Sequence, residues 1–502
     1  MDIQKKELKK RLVKNSFWNF ITLLVNRIGA LIFTVLLARF LLPKGFGIYS
    51  IVLSTSMIFY TFADLGVNQA LLKYVSSSLA KDKKRVASYY RYLLKIKFSL
   101  ILASSFILLA AAYPLSAYIF NNIELFPLFL IASAYVFIFS LENFYGQLFF
   151  SIEKVNYYST KEAIGEFLRI ILALFVFFFI ASSFHLIGIF LTLILSSLFL
   201  LAFSVFYTKK LCPIIYSHPE KDIQKKNVLK FVGFLTIASI SSVFFSHIDS
   251  IMLGIFLPEE YVGYYRAAFS LVVGLISFIS FPNAILLPVF SKLDKSRIQT
   301  ILNRTFNYMS ILSIPAIFGI FILGNYFIEL IYGASYLPAT ILLKILSLLA
   351  FPTAGIGLIV SVFSAEEKPE IFAKIIVIAC VLNIVLNFVF IKLFLTISSD
   401  WATAGVAIAT LISWFFYFFA SVFFSKKNLQ IQLYFKSIIK PIIASTIMSI
   451  ILLFSVHFID QINYISLILE VVLGALVYFA CLLIIKGIKK EDFDLLKILI
   501  KK

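Results

Sequence analysis

The chain has 502 residues, of which 61% are hydrophobic and only 14% charged. A soluble domain carries about 25% charged residues; this chain cannot cover its apolar surface with polar groups, so its solvent is lipid. The net charge of +20 invites a nucleic-acid reading, but the basic residues come in short clusters between apolar runs, such as KKELKKRLVK at 5–14, which membrane orientation alone requires.

A membrane helix needs about 20 mainly apolar residues. Fourteen runs meet that length: 15–41, 46–75, 89–118, 125–150, 158–181, 184–207, 228–257, 261–290, 302–324, 338–364, 371–395, 401–424, 437–457 and 463–486. With the N-terminus inside and alternation thereafter, 36 of the 45 Lys and Arg residues fall in inside loops and tails or in the one or two turns of the runs next to them, and Lys44 alone in an outside loop. That is the positive-inside bias. It predicts a multi-pass protein of the cytoplasmic membrane with both termini cytoplasmic. The basic start leads into a span of full length with no small-residue cleavage site, so no cleavable signal is expected. Cys212, Cys380 and Cys481 are isolated, which argues against a zinc site or a disulfide framework. No cofactor is expected.

In chain order, the first run carries Asn15, Asn19, Thr22 and Asn26 within an arc of about 60°. Arg27 lies beside that stripe near mid-span. An ionised Arg at the bilayer centre costs about 2.5–3.5 kcal/mol on insertion scales. It is either a contact for an anionic substrate or half of an ion pair with a neighbouring helix. Asp64 lies in the inner half of the second run; Lys73, nine residues on, is about 13 Å away along a helix and reaches it only through other groups. Glu162, Glu166 and Arg169 share one face of the fifth run, which reads as an ion pair extending to Glu142. The seventh run places Ser239, Ser242, Ser246, Asp249 and Ser250 in an arc of about 100°, with His247 beside it. The serines read as tight helix packing, and Asp249 with His247 as functional. Arg39, Arg266, Lys344 and Lys392 lie towards outside ends and can snorkel; Arg266 is favoured for a cavity role, Lys392 for snorkelling. Pro282, Pro288, Pro315 and Pro352 are expected to interrupt helices of the second half. Asn383 and Asn387 share a face of the eleventh run.

The chain also repeats itself. Residues 36–49, LLARFLLPKGFGIY, match 253–265, LGIFLPEEYVGYY: an apolar helix, Leu-Pro, a few polar residues, then Gly, one residue and Tyr. AYIFNN at 117–122 matches ELIYGA at 329–334, and EKVNYYSTK at 153–161 matches EKPEIFAK at 367–374. Spans one to six therefore pair with seven to twelve, and thirteen and fourteen are extra. Each half has an even number of spans, so the repeat is parallel, about an axis along the membrane normal. The expected domains are an N-lobe at 1–207, a cytoplasmic linker at 208–230, a C-lobe at 231–424, and two further helices with a basic tail at 425–502. A cavity between the lobes is the expected substrate site.

LLARFLLPKGFGIYS with DLGVNQALLKYVS, HIDSIMLGIFLPEEYVGYYRAAFSL with PVFSKL, and EKPEIFAKIIVIACVLNIVLN resemble the polysaccharide exporter or oligosaccharide (Wzx-type) flippase family. Its superfamily also holds the multidrug-and-toxin extruders and the lipid II flippase. The resemblance implies an all-α integral membrane protein of fourteen helices, in two six-helix lobes plus two C-terminal helices, working by alternating access. It implies a polyisoprenoid (di)phosphate-linked oligosaccharide moved from the inner to the outer leaflet, glycan polymerase or ligase partners, and intramembrane charges that handle the anionic head group. Arg27 and Arg266 match that role by position and chemistry; Arg39, Lys344 and Asn26 complete the expected substrate-binding set. Coupling to Na⁺, H⁺ or the membrane potential is expected through Asp249, Asp64 or His247. The rival readings are a multidrug extruder on the same fold, whose cationic substrates call for an acidic cavity, and a membrane glycosyltransferase or polymerase. The second of these needs a sizeable outside loop, and the outside loops are short.

Overall fold

The computed structural model describes residues 2–219, 222–290, 293–457 and 463–487, and over them the chain is helical with no strand. Asp460, the tail at 488–502 and the side chains of Asn15, Asn19, Thr22 and Ser239 lie outside the described residues. The helices are α1 (Asp2–Asp64), α2 (Val67–Lys81), α3 (Val86–Pro114), α4 (Leu125–Ser151), α5 (Val155–Phe179), α6 (His185–Leu211), α7 (Lys225–Phe256) and α8 (Glu259–Ile279). They continue as α9 (Asn283–Phe290), α10 (Lys295–Tyr332), α11 (Ala339–Ser347), α12 (Ala350–Ala365), α13 (Pro369–Leu395), α14 (Ser399–Leu429), α15 (Ile439–His457) and α16 (Tyr464–Ile484). Lipid offers a backbone no hydrogen bonds, so a spanning segment has to satisfy its own, and a helix does so.

Among the described residues ten helices are long and apolar enough to cross a membrane, or eleven when α11 and α12, bent by 40°, count as one span. The sequence predicts fourteen runs, and the difference has local causes. The first run and most of the second form the single helix α1, kinked where Leu42 takes φ 59° and ψ 173° beside Pro43. The fifth run, in α5, carries Glu162, Glu166 and Arg169 close together. Within α7 the apolar stretch described is the shorter Ile240–Phe256.

The prolines act less uniformly than expected. Pro282 does separate α8 from α9, and Pro352 sits in the first turn of α12 just past the bend. Pro288 and Pro315 instead lie inside the continuous helices α9 and α10. A break that no proline marks separates α1 from α2, where Leu65 (φ 42°) and Gly66 (φ 79°) are left-handed.

The chain packs as two units: residues 1–266 with 376–406, and residues 267–375 with 407–502. In the first, α1 packs on α3, α4, α5 and α7, and α4 on α3 and α6. The segment 208–230 is part of that packing: a short 3₁₀ turn at Pro213–Tyr216 buries Ile215 completely, and Val228 joins it in a cluster with Val67, Leu71, Val75, Leu93 and Leu148. In the second unit, α10 packs on α11, α12, α15 and α16. Asn463 and Ser466 form a reciprocal capping box at the start of α16, which satisfies two backbone donors there.

The two copies of the Pro…Gly-x-Tyr motif meet inside the first unit. A Cβ on Gly47 would overlap the carbonyl oxygen of Glu259, and a Cβ on Gly263 would overlap the carbonyl oxygen of Pro43. Each elbow thus lays its glycine on the backbone of the other. The Asn122 amide adds a hydrogen bond of 2.6 Å to Glu259 Oε1. Overpacking a close-packed contact typically costs about 1–3 kcal/mol. Gly47→Ala and Gly263→Ala are therefore each expected to lower the thermal unfolding midpoint in detergent. Gly319→Ala, with open space around it in α10, gains up to about 1 kcal/mol of helix propensity. A Gly47→Ala protein as stable as the parent would show that the elbows do not touch.

Candidate functional site

The first unit collects most of the polar groups that the apolar runs carry. On α7, Asp249 is 3% exposed. The Tyr265 hydroxyl donates to its Oδ2 at 2.5 Å, and Asn387 Nδ2 donates to its Oδ1 at 2.7 Å. Asn387 Nδ2 also lies 3.3 Å from Asn383 Oδ1. Tyr265 closes the second Gly-x-Tyr motif, so the elbow that Gly263 permits also aims a phenol at the α7 acid. Asn383 and Asn387, one turn apart on α13, supply the amides. Asn387 Oδ1 is buried with no hydrogen-bond partner. The set therefore offers a carboxylate and amide oxygens, the hard donors that small cations favour. His247 stands apart from it, with Nδ1 3.3 Å from Ser54 Oγ on α1.

A second polar group sits at the unmarked break. Asp64 ends α1, and Lys97 of α3, fully buried, reaches its Oδ1 at 2.7 Å. The backbone N–H of Asn68 donates to that oxygen at 3.3 Å, and the Tyr60 ring lies 5.8 Å from the ammonium. Thr236 of α7 donates to the Leu65 carbonyl at 2.9 Å, replacing one helical bond that the break removes. Lys73, the partner considered from sequence, instead lies 3.8 Å over the Phe231 ring.

A third group joins α4 and α5. Lys161, 1% exposed, pairs with both Glu142 and Glu162, the latter at 2.9 Å, and lies over the Tyr158 ring. Arg169 holds Glu166 at 2.9 Å. Glu166 packs on Gly29 of α1, where a Cβ would meet its side chain. The expected ion pair is present, and it reaches Glu142 through Lys161 rather than through Arg169. Lys97 and Lys161 are residues to which the sequence reading assigns no role. The available signal is a single Lys within an apolar helical run, with acids on runs that could pack against it.

Arg27, two residues before Gly29, is exposed. Glu166, which packs on Gly29, is already engaged by Arg169. Asn26 Oδ1 is buried without a partner. Arg39 is exposed below the elbow, and Arg266, half-buried, follows Tyr265. Lys344 belongs to the second unit, where its methylenes pack on Gly324. Lys392 is exposed and lies 4.9 Å over the Phe256 ring. The serines of α7 behave as packing residues: Ser246 bonds back to the Ser242 carbonyl at 3.0 Å. Among the described residues no cluster of three His, Cys, Asp or Glu side chains forms a metal site. The three cysteines are unpaired, and burial raises the Cys212 thiol.

The second unit holds an apolar groove of about 420 Å³ between α10, α15 and α16, lined by residues such as Ile311, Pro315, Gly319, Met448 and Gly474. Its one phenol, Tyr478, donates to the Ile311 carbonyl at 2.8 Å, which leaves the wall apolar.

Comparison with known proteins bears on this arrangement. The profile of the family described as polysaccharide biosynthesis protein matches residues 12–294, and that of the lipid II flippase MurJ matches residues 260–473. A probable low-salt glycan biosynthesis flippase of Haloferax volcanii is 24% identical over 53% of the chain, and the match spans about half of that relative, 56%. Among solved structures, a lipid II flippase MurJ in an inward closed conformation superposes with a TM-score of 0.72 at 17% identity, over 93% of this chain and 98% of that one. A multidrug resistance transporter of the MATE family superposes with a TM-score of 0.64 at 12% identity, over 81% and 96%. At such identities both show the fold alone.

The Asp64–Lys97 pair is open to a direct test. Breaking a buried pair by removing one partner costs about 3–5 kcal/mol, because the other charge is left uncompensated. Lys97→Met should lower the thermal midpoint sharply, and adding Asp64→Asn should recover much of the loss. Additive effects of the two changes would show that the groups do not interact.

Proposed function

The chain belongs to the polysaccharide biosynthesis protein family, and from that premise we propose that it is a flippase for a lipid-linked oligosaccharide. It is a multi-pass helical membrane protein of a transporter family, not an enzyme. The substrate on this reading is a polyisoprenoid (di)phosphate carrying a glycan, passed from the inner to the outer leaflet by alternating access. Fourteen spans with both termini in the cytoplasm fit this reading. That number is reached when α1 counts as two helices across its kink, α5 and α7 count as spans, and α11 with α12 count as one. The even number and the basic inside loops then agree.

The observation that carries the proposal is Arg27. It is a cation in the middle of an apolar run, exposed, while Glu166, the acid packed on Gly29 two residues on, is held by Arg169. An anionic head group is the partner such a cation accepts, bidentate where geometry allows. Arg266 is the matching candidate from the second copy of the motif, with Arg39 and Asn26 as further contacts. The apolar groove on α10, α15 and α16 has the wall chemistry that an isoprenoid chain prefers to water. Asp249 with Asn383 and Asn387 is the coupling group on this reading, for Na⁺ or H⁺; Asp64 and His247, each engaged elsewhere, are second choices. A multidrug extruder shares the fold, but organic cations call for exposed acids within the spans, and Asp64, Glu142, Glu166 and Asp249, acids of the first unit's apolar runs, are buried.

A hydrogen bond to a charged group is worth about 1.5–3 kcal/mol, so Arg27→Ala and Arg266→Ala should each weaken substrate capture about 10- to 100-fold while leaving a folded protein. The measurement is flipping of labelled lipid-linked oligosaccharides in proteoliposomes under imposed Na⁺ and H⁺ gradients. Asp249→Asn should abolish the response to whichever gradient drives the parent. Undiminished flipping in both arginine variants sinks the site assignment, and export of organic cations instead would favour the extruder.

A further inference from the structure

A groove of about 550 Å³ lies on the first unit between α3, α4 and α6, away from the groups described above, and is lined by Arg91, Leu94, Lys95 and Phe98 of α3, Leu141 and Tyr145 of α4, and Leu201 and Val205 of α6. We propose that it is a binding site for an anionic membrane phospholipid, with the phosphate held by Arg91, Lys95 and Tyr145 and an acyl chain lying along Phe98, Leu141 and Leu201.

The lining is ordered along the membrane normal. Arg91, Lys95 and Phe98 fall at i, i+4 and i+7, on one face of α3, and about 10 Å of helix separates the first from the last. α3 and α4 run in opposite senses in the proposed topology, so Tyr145, bonded to Tyr90, stands level with Arg91, Leu141 one turn deeper, and Phe98 deeper still, against Phe137. Leu201 lies one turn deeper than Val205 on α6. The groove is thus cationic and phenolic at its cytoplasmic end and apolar towards the midplane. That is the profile of a phospholipid in the inner leaflet, and basic pockets between helices on that side take anionic head groups. The depth assignment rests on the orientation in the proposed function; the chemistry of the groove does not.

The polar end is built as well as charged. Arg91 is anchored, donating from Nη2 to the Ser217 carbonyl at 3.1 Å, and its remaining N–H groups are left for a phosphate. The Tyr90 hydroxyl donates to that of Tyr145 at 3.2 Å, so the Tyr145 proton is available to an acceptor in the groove. No acidic side chain lines it. Snorkelling of Lys95 accounts for one exposed cation; it does not account for two cations and a phenol over a shared apolar trough. The lining also argues against the transported lipid as occupant. A glycan needs many hydrogen-bonding partners for its hydroxyls, and the wall offers none beyond the three phosphate ligands. Because Arg91 joins α3 to the segment 208–230, a bound phosphate would brace the packed start of that segment against α3.

The test is lipid retention by the full-length protein, read by native mass spectrometry from micelles doped with phosphatidylglycerol or phosphatidylcholine. The expected result is that the parent keeps one more phosphatidylglycerol than Arg91→Gln/Lys95→Gln, with affinity falling about 10- to 100-fold in the variant, and that phosphatidylcholine shows no difference. Lys209→Gln, a loss of charge elsewhere, and the charge-conserving Arg91→Lys/Lys95→Arg should both behave as the parent; the latter keeps the test valid should the neutral variant fold poorly. Equal retention by the parent and the glutamine variant overturns the proposal. So does equal binding of phosphatidylcholine, or displacement of phosphatidylglycerol by polyprenyl phosphate in preference to other anionic lipids. Retention is read without flipping, so it stands or falls apart from the transport reading, and maleimide labelling of Lys209→Cys in sealed vesicles checks the orientation separately.

Discussion

Two glycines facing two carbonyls set the geometry of the first unit. Gly47 and Gly263 come from equivalent places in a duplicated motif, and each sits where any side chain would strike the backbone of the other copy. The contact is reciprocal, as a two-fold relation between repeats demands. It also fixes where the tyrosine of each motif is delivered. Tyr265 is swung onto Asp249, whereas Tyr49, its counterpart, is buried against Phe46 and Phe190. The motif occurs twice, and among the described residues its second copy aims a phenol at an acid while its first packs the phenol among aromatic rings.

Lipid imposes the second constraint. A charge within the hydrocarbon layer has to be paired, solvated or used. In the first unit Lys97 pairs with Asp64, Lys161 with Glu142 and Glu162, and Arg169 with Glu166. Such pairs specify which helices pack together, since a misplaced helix would strand a charge, and they are weak evidence for net stability. The groups that this pairing leaves over are the informative ones: the exposed Arg27, the Asn387 oxygen beside Asp249, and the Arg91–Lys95 trough. The first two serve the transport reading and the third a standing lipid.

The fold by itself does not choose a substrate. A lipid II flippase and a multidrug transporter both superpose on this chain, and one scaffold can host many chemistries. Discrimination falls to the sign and exposure of a few side chains, which is why Arg27 weighs more in the functional reading than either superposition.

Hydropathy and the distribution of Lys and Arg are enough to establish a helical multi-pass protein, because that property depends only on which residues the chain carries and how far apart they lie, while the family is carried by the resemblance of particular stretches and by the profile match. The candidate acids and arginines are legible for the same reason: a charge in an apolar run stands out. Their partners are not. Sequence offers Asp64 only Lys73, nine residues away, and packing gives it Lys97, thirty-three residues on. Lys161 has no role in the sequence reading and lies buried between two acids; Pro315 reads as a break and sits within an unbroken helix. Periodicity tells which face of a helix a residue occupies. Which helix stands opposite that face, and at what height, depends on side-chain volume and backbone clearance summed over the whole packed unit, and only the tertiary structure decides it.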